Sequence, residues 1–433
     1  MSKNLESILD ELSDYLKDNR PKYLYNTNFT PGKDQILYSG PYWDEKEIVS
    51  SIKSLLSGKW LVTGENVHKF ESQFAKKFQV KYSHMVNSGS SANLVMIAGL
   101  KSYFKWNDGD EIILSPVGFP TTISTVVQNN LKPVFVDIEY DTLNFDLTKI
   151  EEKITNKTKG IFVSPVLGNP PDMDYLKSIS EKYNIKLIGD SCDSIGTKWD
   201  GKDLNQYYVA WSTSFYPAHH ITTGEGGMIS TDIEDLKKLF VSISWWGRDC
   251  YCVGSANLLS CGTCGNRFDK WLKSYNGIID HKYVFTNMGY NLKPLDLQGA
   301  MGIEQLKKFD DIEINRKISK HNISEILTTY VNGLKGVSSL DKADTCWFGT
   351  PFIAESKEQK QKLITFLESN KIQTRNYFAG NILLHPGYLH LDDYKNYPNA
   401  NTVLDRVFFL GASPHYNDDV FNYIENLFKK WEN

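Results

Sequence analysis

Apolar positions along the chain fall into two rhythms. Short apolar runs recur at Ile112–Leu114 after the turn Asp108-Gly109-Asp110, at Val134–Asp137 after Lys132-Pro133, and at Ile161–Val163, Lys186–Asp190 and Val209–Trp211. Runs this short, bounded by Gly, Pro, Asn or Asp, predict buried strands. Between them apolar residues stand three and four apart. Leu176, Ile179 and Tyr183 mark one face of a helix, with Asp174 its expected cap. Strands alternating with helices predict an α/β fold whose mainly parallel sheet is covered on both faces.

The two ends read differently. Leu5, Ile8, Leu9, Leu12, Tyr15 and Leu16 are spaced helically and interrupted by Glu6, Asp10, Glu11 and Asp14, which predicts an amphipathic helix rather than a signal peptide. Pro31-Gly32 and Gly40-Pro41 then punctuate an extended arm. Beyond about residue 310 the chain turns to charged helices and shorter strands, with helices expected over 358–369 and 421–431. The 433 residues exceed one simple core. They divide into a helix and arm (1–44), a large domain (45–310) and a smaller C-terminal α+β domain (311–433).

Composition narrows the function classes. Hydrophobic content of 41%, charged content of 23% and a net charge of -4 describe an ordinary globular protein without a basic nucleic-acid surface or a membrane-binding face. No apolar run approaches the roughly 20 residues of a membrane span. The cytoplasm is the expected location, where thiols stay reduced. The six cysteines are unevenly placed: Cys192 is alone, Cys250, Cys252, Cys261 and Cys264 are clustered, and Cys346 is distant. Such clustering points to metal binding, whereas Cys346 reads as a small buried hydrophobe.

Candidate chemistry gathers at the ends of strands, where open α/β sheets hold ligands. The stretch from Ser214 to Gly227 follows the strand at Val209 and joins a serine, a Pro turn, His219-His220 and a Gly-rich close. It predicts a small, phosphorylated ligand. Asn87-Ser88-Gly89-Ser90-Ser91-Ala92 opens a helix and offers N–H groups and a positive dipole end to an anion; a plain helix cap is the alternative. Asp190 ends a buried strand. A carboxylate there needs a partner, either a protonated heterocyclic nitrogen or the N–H groups of the next turn.

These motifs in order, with Gly118-Phe119-Pro120-Thr121-Thr122, Gly168-Asn169-Pro170, Asp190-Ser191-Cys192-Asp193 and Thr222-Thr223-Gly224-Glu225-Gly226-Gly227, resemble those of the sugar aminotransferase family. The likeness is strong over about 40–310 and looser beyond. It implies the aspartate aminotransferase-like, type I fold and pyridoxal or pyridoxamine phosphate as cofactor. It further implies that Ser90, Ser91 and Ser214 hold the phosphate and Phe119 stacks on the ring. Asp190 would pair with the ring nitrogen, with Asp193 beside the cofactor. Asn291 would reach the phosphate in a neighbouring subunit, so a homodimer is implied.

One departure redirects the chemistry. The family's motif Ser-Phe-His-Pro-x-Lys-Asn places its cofactor-binding lysine at His219. Imidazole forms no stable imine but moves protons near neutral pH. This exchange resembles the sugar 3-dehydratases, which act on nucleotide-linked 4-keto-6-deoxyhexoses. One branch takes CDP-linked sugars and carries a [2Fe-2S] cluster fed by a flavin and iron-sulfur reductase; the other takes GDP-linked sugars, lacks the cluster and draws on glutamate. The cluster-bearing branch has cysteines matching Cys192, Cys250, Cys252 and Cys264, soft ligands that iron-sulfur clusters require. The eleven residues between Cys252 and Cys264 are longer than the family's spacing, and Cys261 competes as fourth ligand. A zinc on Cys250, Cys252, Cys261 and Cys264 in a non-catalytic protein is the remaining alternative. The resemblance favours a CDP-linked substrate, with the product destined for lipopolysaccharide, proton transfer by His219, and substrate held by Arg375.

Overall fold

The computed structural model describes residues 4–21, 29–57, 60–250, 268 and 272–432. It begins with α1 (Leu5–Asp18), α2 (Glu45–Ser57) and α3 (Glu65–Lys77). The expected helix α1 is present; of the apolar face read from its spacing it buries Leu9 and Leu16 but leaves Ile8 and Tyr15 exposed. Among the described residues no helix is long and apolar enough to cross a membrane.

The central strands are β1 (Tyr82–Val86), β2 (Glu111–Leu114), β3 (Lys132–Phe135), β4 (Thr158–Val163) and β5 (Lys186–Asp190). A short hairpin of β6 (Lys198–Trp199) and β7 (Lys202–Asp203) precedes β8 (Ala210–Ser214) and β9 (Gly227–Thr231). Seven of these form one sheet in the order β1-β9-β8-β5-β4-β2-β3. Only β9 runs antiparallel to its neighbours; the other pairings are parallel. The mainly parallel sheet expected from the strand pattern is therefore present. All of β2, β8 and β9 is buried, as strands covered on both faces must be.

Three helices fill crossovers between strands, α4 (Gly89–Phe104), α5 (Pro120–Gln128) and α6 (Met173–Tyr183), and α7 (Glu234–Ser244) follows β9. α4 packs tightly on α7, since a Cβ on Gly99 would come within 2.5 Å of the Phe240 ring. α6 departs from expectation in two details. Its cap is Asp172, which accepts from the backbone of Asp174 and Tyr175, while Asp174 sits in the first turn and bonds Lys342. Leu176 and Ile179 are buried but Tyr183, at the last turn, is exposed.

After α8 (Asp296–Lys307) and the long α9 (Phe309–Tyr330) come β10 (Lys335–Gly336), β11 (Ala343–Asp344), β12 (Gly349–Ile353), α10 (Lys357–Ser369), β13 (Arg375–Asn376), α11 (Pro398–Arg406), β14 (Val407–Gly411) and α12 (Asp418–Phe428). β10, β12, β14 and β13 make an antiparallel sheet, and β11 joins β6 and β7. One apolar core runs through both main sheets, from Val86 and Leu114 to Phe348, Val407 and Phe409. It leaves a cleft above the carboxyl ends of β5 and β8.

Candidate active site

A cavity of about 410 Å³ fills that cleft. Of the residues singled out in the sequence, Ser90, Phe119, Asp190, Cys192, Asp193, Ser214 and His219 all line it. One wall is the start of α4. Ser88 caps the helix by accepting from the Ser91 N–H, leaving Gly89 and Ser90 at the positive end. β8 ends against them at Ser214, and the approach needs glycine: a Cβ on Gly89 would stand 2.5 Å from the Ser214 Cβ, and one on Gly227 2.3 Å from the Ser88 carbonyl oxygen. Ser91 is turned away from the cavity, its hydroxyl accepting from Ser88 Oγ at 2.9 Å.

Opposite stands Phe119. Pro120 at the first position of α5 keeps the preceding residue extended (φ -86, ψ 141), and the Phe119 ring is 51% exposed on the cavity wall. On the floor Asp190 is buried. Its Oδ2 accepts from Asn93 Nδ2 at 2.8 Å and Thr122 Oγ1 at 2.6 Å, whereas Oδ1 accepts from the Cys192 N–H at the longer distance of 3.4 Å. An aromatic face, a buried carboxylate with spare acceptor capacity and a helix start for an anion fit a phosphorylated pyridine ring.

His219 lies over this floor. Its Nδ1 is 3.5 Å from Asp193 Oδ1, and its ring packs 5.2 Å from the Phe348 ring and 6.5 Å from that of Tyr216. Burial, with the nearby Arg316 charge, lowers its pKa to about 3, so the imidazole is neutral. Burial also pushes Asp193 up to about 7, Asp190 adding repulsion against the pull of the Leu167 N–H. Cys192 is held as a thiol, pushed well above its ordinary range by burial and then by Asp190. His220 points elsewhere, buried with Nε2 2.9 Å from the Cys346 carbonyl. Cys346 is buried, as expected. Among the described residues no lysine lines the cavity.

Besides Ser91, two site residues expected from the sequence, Asn291 and Arg375, stand apart from this chain's cavity. Asn291 is exposed, bridges the backbone of Trp245 and accepts from Lys293 Nζ. Arg375 is exposed at the rim, its guanidinium 4.2 Å over the ring of Tyr38, which does line the cavity. Cys250 is buried after α7, and Cys252, Cys261 and Cys264 lie outside the described residues. Among the described residues no three potential metal ligands cluster.

Other functional residues carried no signal of their own. Tyr38 comes from the arm and Phe348 and Phe378 from around the second sheet. Asn93 and Thr122, the donors to Asp190, are small polar residues near the starts of apolar helices, a pattern that could have drawn notice to them.

A cavity with these groups at the strand ends of a mainly parallel sheet defines an aminotransferase-like, pyridoxal-phosphate-type fold. The profile of the DegT/DnrJ/EryC1/StrS aminotransferase family matches residues 43–429, and the chain belongs to that family. Among its relatives, a dTDP-4-dehydro-2,6-dideoxy-D-glucose 3-dehydratase of Saccharopolyspora spinosa is 35% identical over 428 residues, 97% of this chain and 90% of its own. The lipopolysaccharide biosynthesis protein RfbH of Salmonella typhimurium is 34% identical, covering 93% of each chain. A solved structure of Escherichia coli GDP-4-keto-6-deoxy-D-mannose-3-dehydratase with bound hydrated PLP superposes with a TM-score of 0.79 at 29% identity, over 91% of this chain and 99% of that one.

Proposed function

We propose that the protein is a pyridoxamine-phosphate-dependent 3-dehydratase of a nucleotide-linked 4-keto-6-deoxyhexose. The observation that carries this reading is His219, a neutral imidazole on the cavity wall where no described lysine stands. A base without a covalent anchor suits elimination rather than amine transfer. The relatives named as 3-dehydratases support the substrate class.

Each residue then has a task. Gly89, Ser90 and Ser214 hold the phosphate, Phe119 covers one ring face, and Asp190 keeps the ring nitrogen protonated. The bound cofactor supplies an amine for the C4 ketone and an electron sink that labilises the C3 hydroxyl. His219, its Nδ1 3.5 Å from Asp193 Oδ1, moves the proton. Phe348 and Phe378 wall the site against water. Arg375, stacked on Tyr38, holds the substrate at the rim.

Cys192, Cys250, Cys252 and Cys264 bind a [2Fe-2S] cluster that supplies single electrons from a flavin and iron-sulfur reductase, and the favoured substrate is CDP-linked. What supports the cluster is a thiol in the cavity wall beside Asp190 together with the clustered cysteines downstream. The protein is a cytoplasmic homodimer in which Asn291 serves the partner's site. Trp60, Leu61, Tyr290 and Leu295, all exposed around the bridge from Val62 to Leu295, provide an apolar surface for that contact.

The test combines anaerobic purification, iron and sulfide analysis, and incubation with pyridoxamine phosphate and CDP- or GDP-linked 4-keto-6-deoxyhexose. Two irons per chain and reductase-dependent loss of the C3 oxygen are expected. A colourless, iron-free protein that works with glutamate favours the cluster-free reading, which the similarity to GDP-4-keto-6-deoxy-D-mannose 3-dehydratases supports. No dehydration of either sugar would sink both.

A further inference from the structure

Arg316 on α9 is buried, with 1% of its surface exposed, yet it pairs with no carboxylate among the described residues. Its guanidinium instead binds five backbone carbonyls. Nη2 donates to Ala218 and His219, both at 3.3 Å. Nη1 donates to Phe348 at 3.0 Å and to Trp347 and Ala412 at 3.4 Å. A buried cation without a counter-ion costs several kcal/mol unless many dipoles converge on it. Here they come from the His219 loop and from the two segments that flank the paired strands β12 and β14.

The choice of carbonyls is informative. Two belong to the loop that carries His219, and a third belongs to Phe348, whose ring packs on the imidazole. The Ala218 carbonyl also accepts from Ser39 Oγ of the arm at 2.6 Å, and His220 ties the next residue to the Cys346 carbonyl. The loop is thus held from the arm, from α9 and from the segment leading into β12. Ser319, one turn further along α9, continues the same seam by donating to the Ser413 carbonyl at 2.7 Å.

We propose that Arg316 is a positioning residue for His219: it locks the backbone of residues 218–219 to that of Phe348, so that the imidazole is clamped between Phe348 and Asp193. The inference rests on His219 being the proton-transfer group. Arg316 touches neither cofactor nor substrate and acts through the loop. A lysine has a single donor centre and cannot span both sets of carbonyls.

The test uses the full chain with Arg316→Lys and Arg316→Met. Each is followed by hydrogen exchange of peptides covering 215–222, pyridoxamine phosphate titration, and turnover of the keto sugar. The expected result is at least about tenfold faster exchange in 215–222 and unchanged cofactor affinity. kcat should fall roughly 10- to 100-fold, the scale of an ångström-level misplacement, at nearly constant KM. Lys should lie between Arg and Met. Unchanged loop exchange in a folded Met variant overturns the proposal, as does a parallel loss of cofactor affinity or the failure of both variants to fold, which would make Arg316 a general core residue. If the wild-type chain turns over no keto sugar, the dehydratase reading fails, while the exchange and titration measurements still decide whether Arg316 holds the loop.

Discussion

Replacing Asp190 by Asn separates the two jobs of that carboxylate. Oδ2 accepts from Asn93 at 2.8 Å and from Thr122 at 2.6 Å, so the amide oxygen takes its place and both bonds survive. The NH₂ group then occupies the Oδ1 position, where the Cys192 N–H, 3.4 Å from the present oxygen, and the cavity both lie. A donor now faces the point at which a protonated ring nitrogen would donate. A hydrogen bond to a charged group is worth about 1.5–3 kcal/mol, so pyridoxamine phosphate affinity should fall roughly 10- to 150-fold. The protein without cofactor should melt within a few degrees of the wild type, because the two short bonds to Asn93 and Thr122 are kept and only the long one from the Cys192 N–H is lost. Titration by absorbance gives the first quantity and a thermal melt the second. An unchanged dissociation constant would refute the assignment of Asp190 to the ring nitrogen, and a melt lowered in proportion to the affinity would show a structural role instead.

Two further outcomes follow from other parts of the molecule. Burial alone would raise the pKa of Glu71, but hydrogen bonds from His68 and His84 and the Met85 N–H hold it down to about 2. A carboxylate depressed in the folded state stabilises the fold above about pH 4.5 and loses that contribution as the pH falls towards 2, on the order of 3 kcal/mol here. Glu71→Gln should therefore be less stable than wild type in urea at pH 7, with the gap narrowing at pH 3; a constant gap would contradict the linkage. His219→Lys places an amine over the cavity floor and should capture pyridoxal phosphate covalently, seen as a borohydride-fixed mass increase, with loss of C3 dehydration. Full dehydratase activity in that variant would refute the role of His219.

The parts of the fold legible in the sequence are those set by local pattern. β4 and β5 announce themselves as apolar runs, and β5 delivers Asp190 where strand-end reasoning places a ligand group. The glycine and serines at the start of α4 are likewise local, since a cap and a close approach both demand small residues. Misplaced details arise where neighbouring residues compete. Asp172 and Asp174 are both able to cap α6, and the pull of Lys342, 168 residues away, occupies Asp174. Tyr183 fits the helical period but falls in the last turn, where the left-handed Asn184 ends α6 and the core no longer covers the ring. Tyr38, Phe348 and Arg316 were illegible for a different reason: each acts through contacts with residues remote in sequence, Arg316 reaching Ala218 from 98 positions away. No periodicity encodes such contacts.

The first turns of α4 tie the two ends of the cleft together. Gly89 and Ser90 line one end of the cavity, the phosphate side in the proposed reading, and one turn later Asn93 donates to the buried Asp190 carboxylate at the other. Any tilt of this helix moves both grips at once. Occupancy of one end therefore prepares the other, and inorganic phosphate or free pyridoxamine alone should each bind far more weakly than half of the whole molecule's binding free energy would suggest. On the proposed reading, the site takes its ligand as a single object of fixed length.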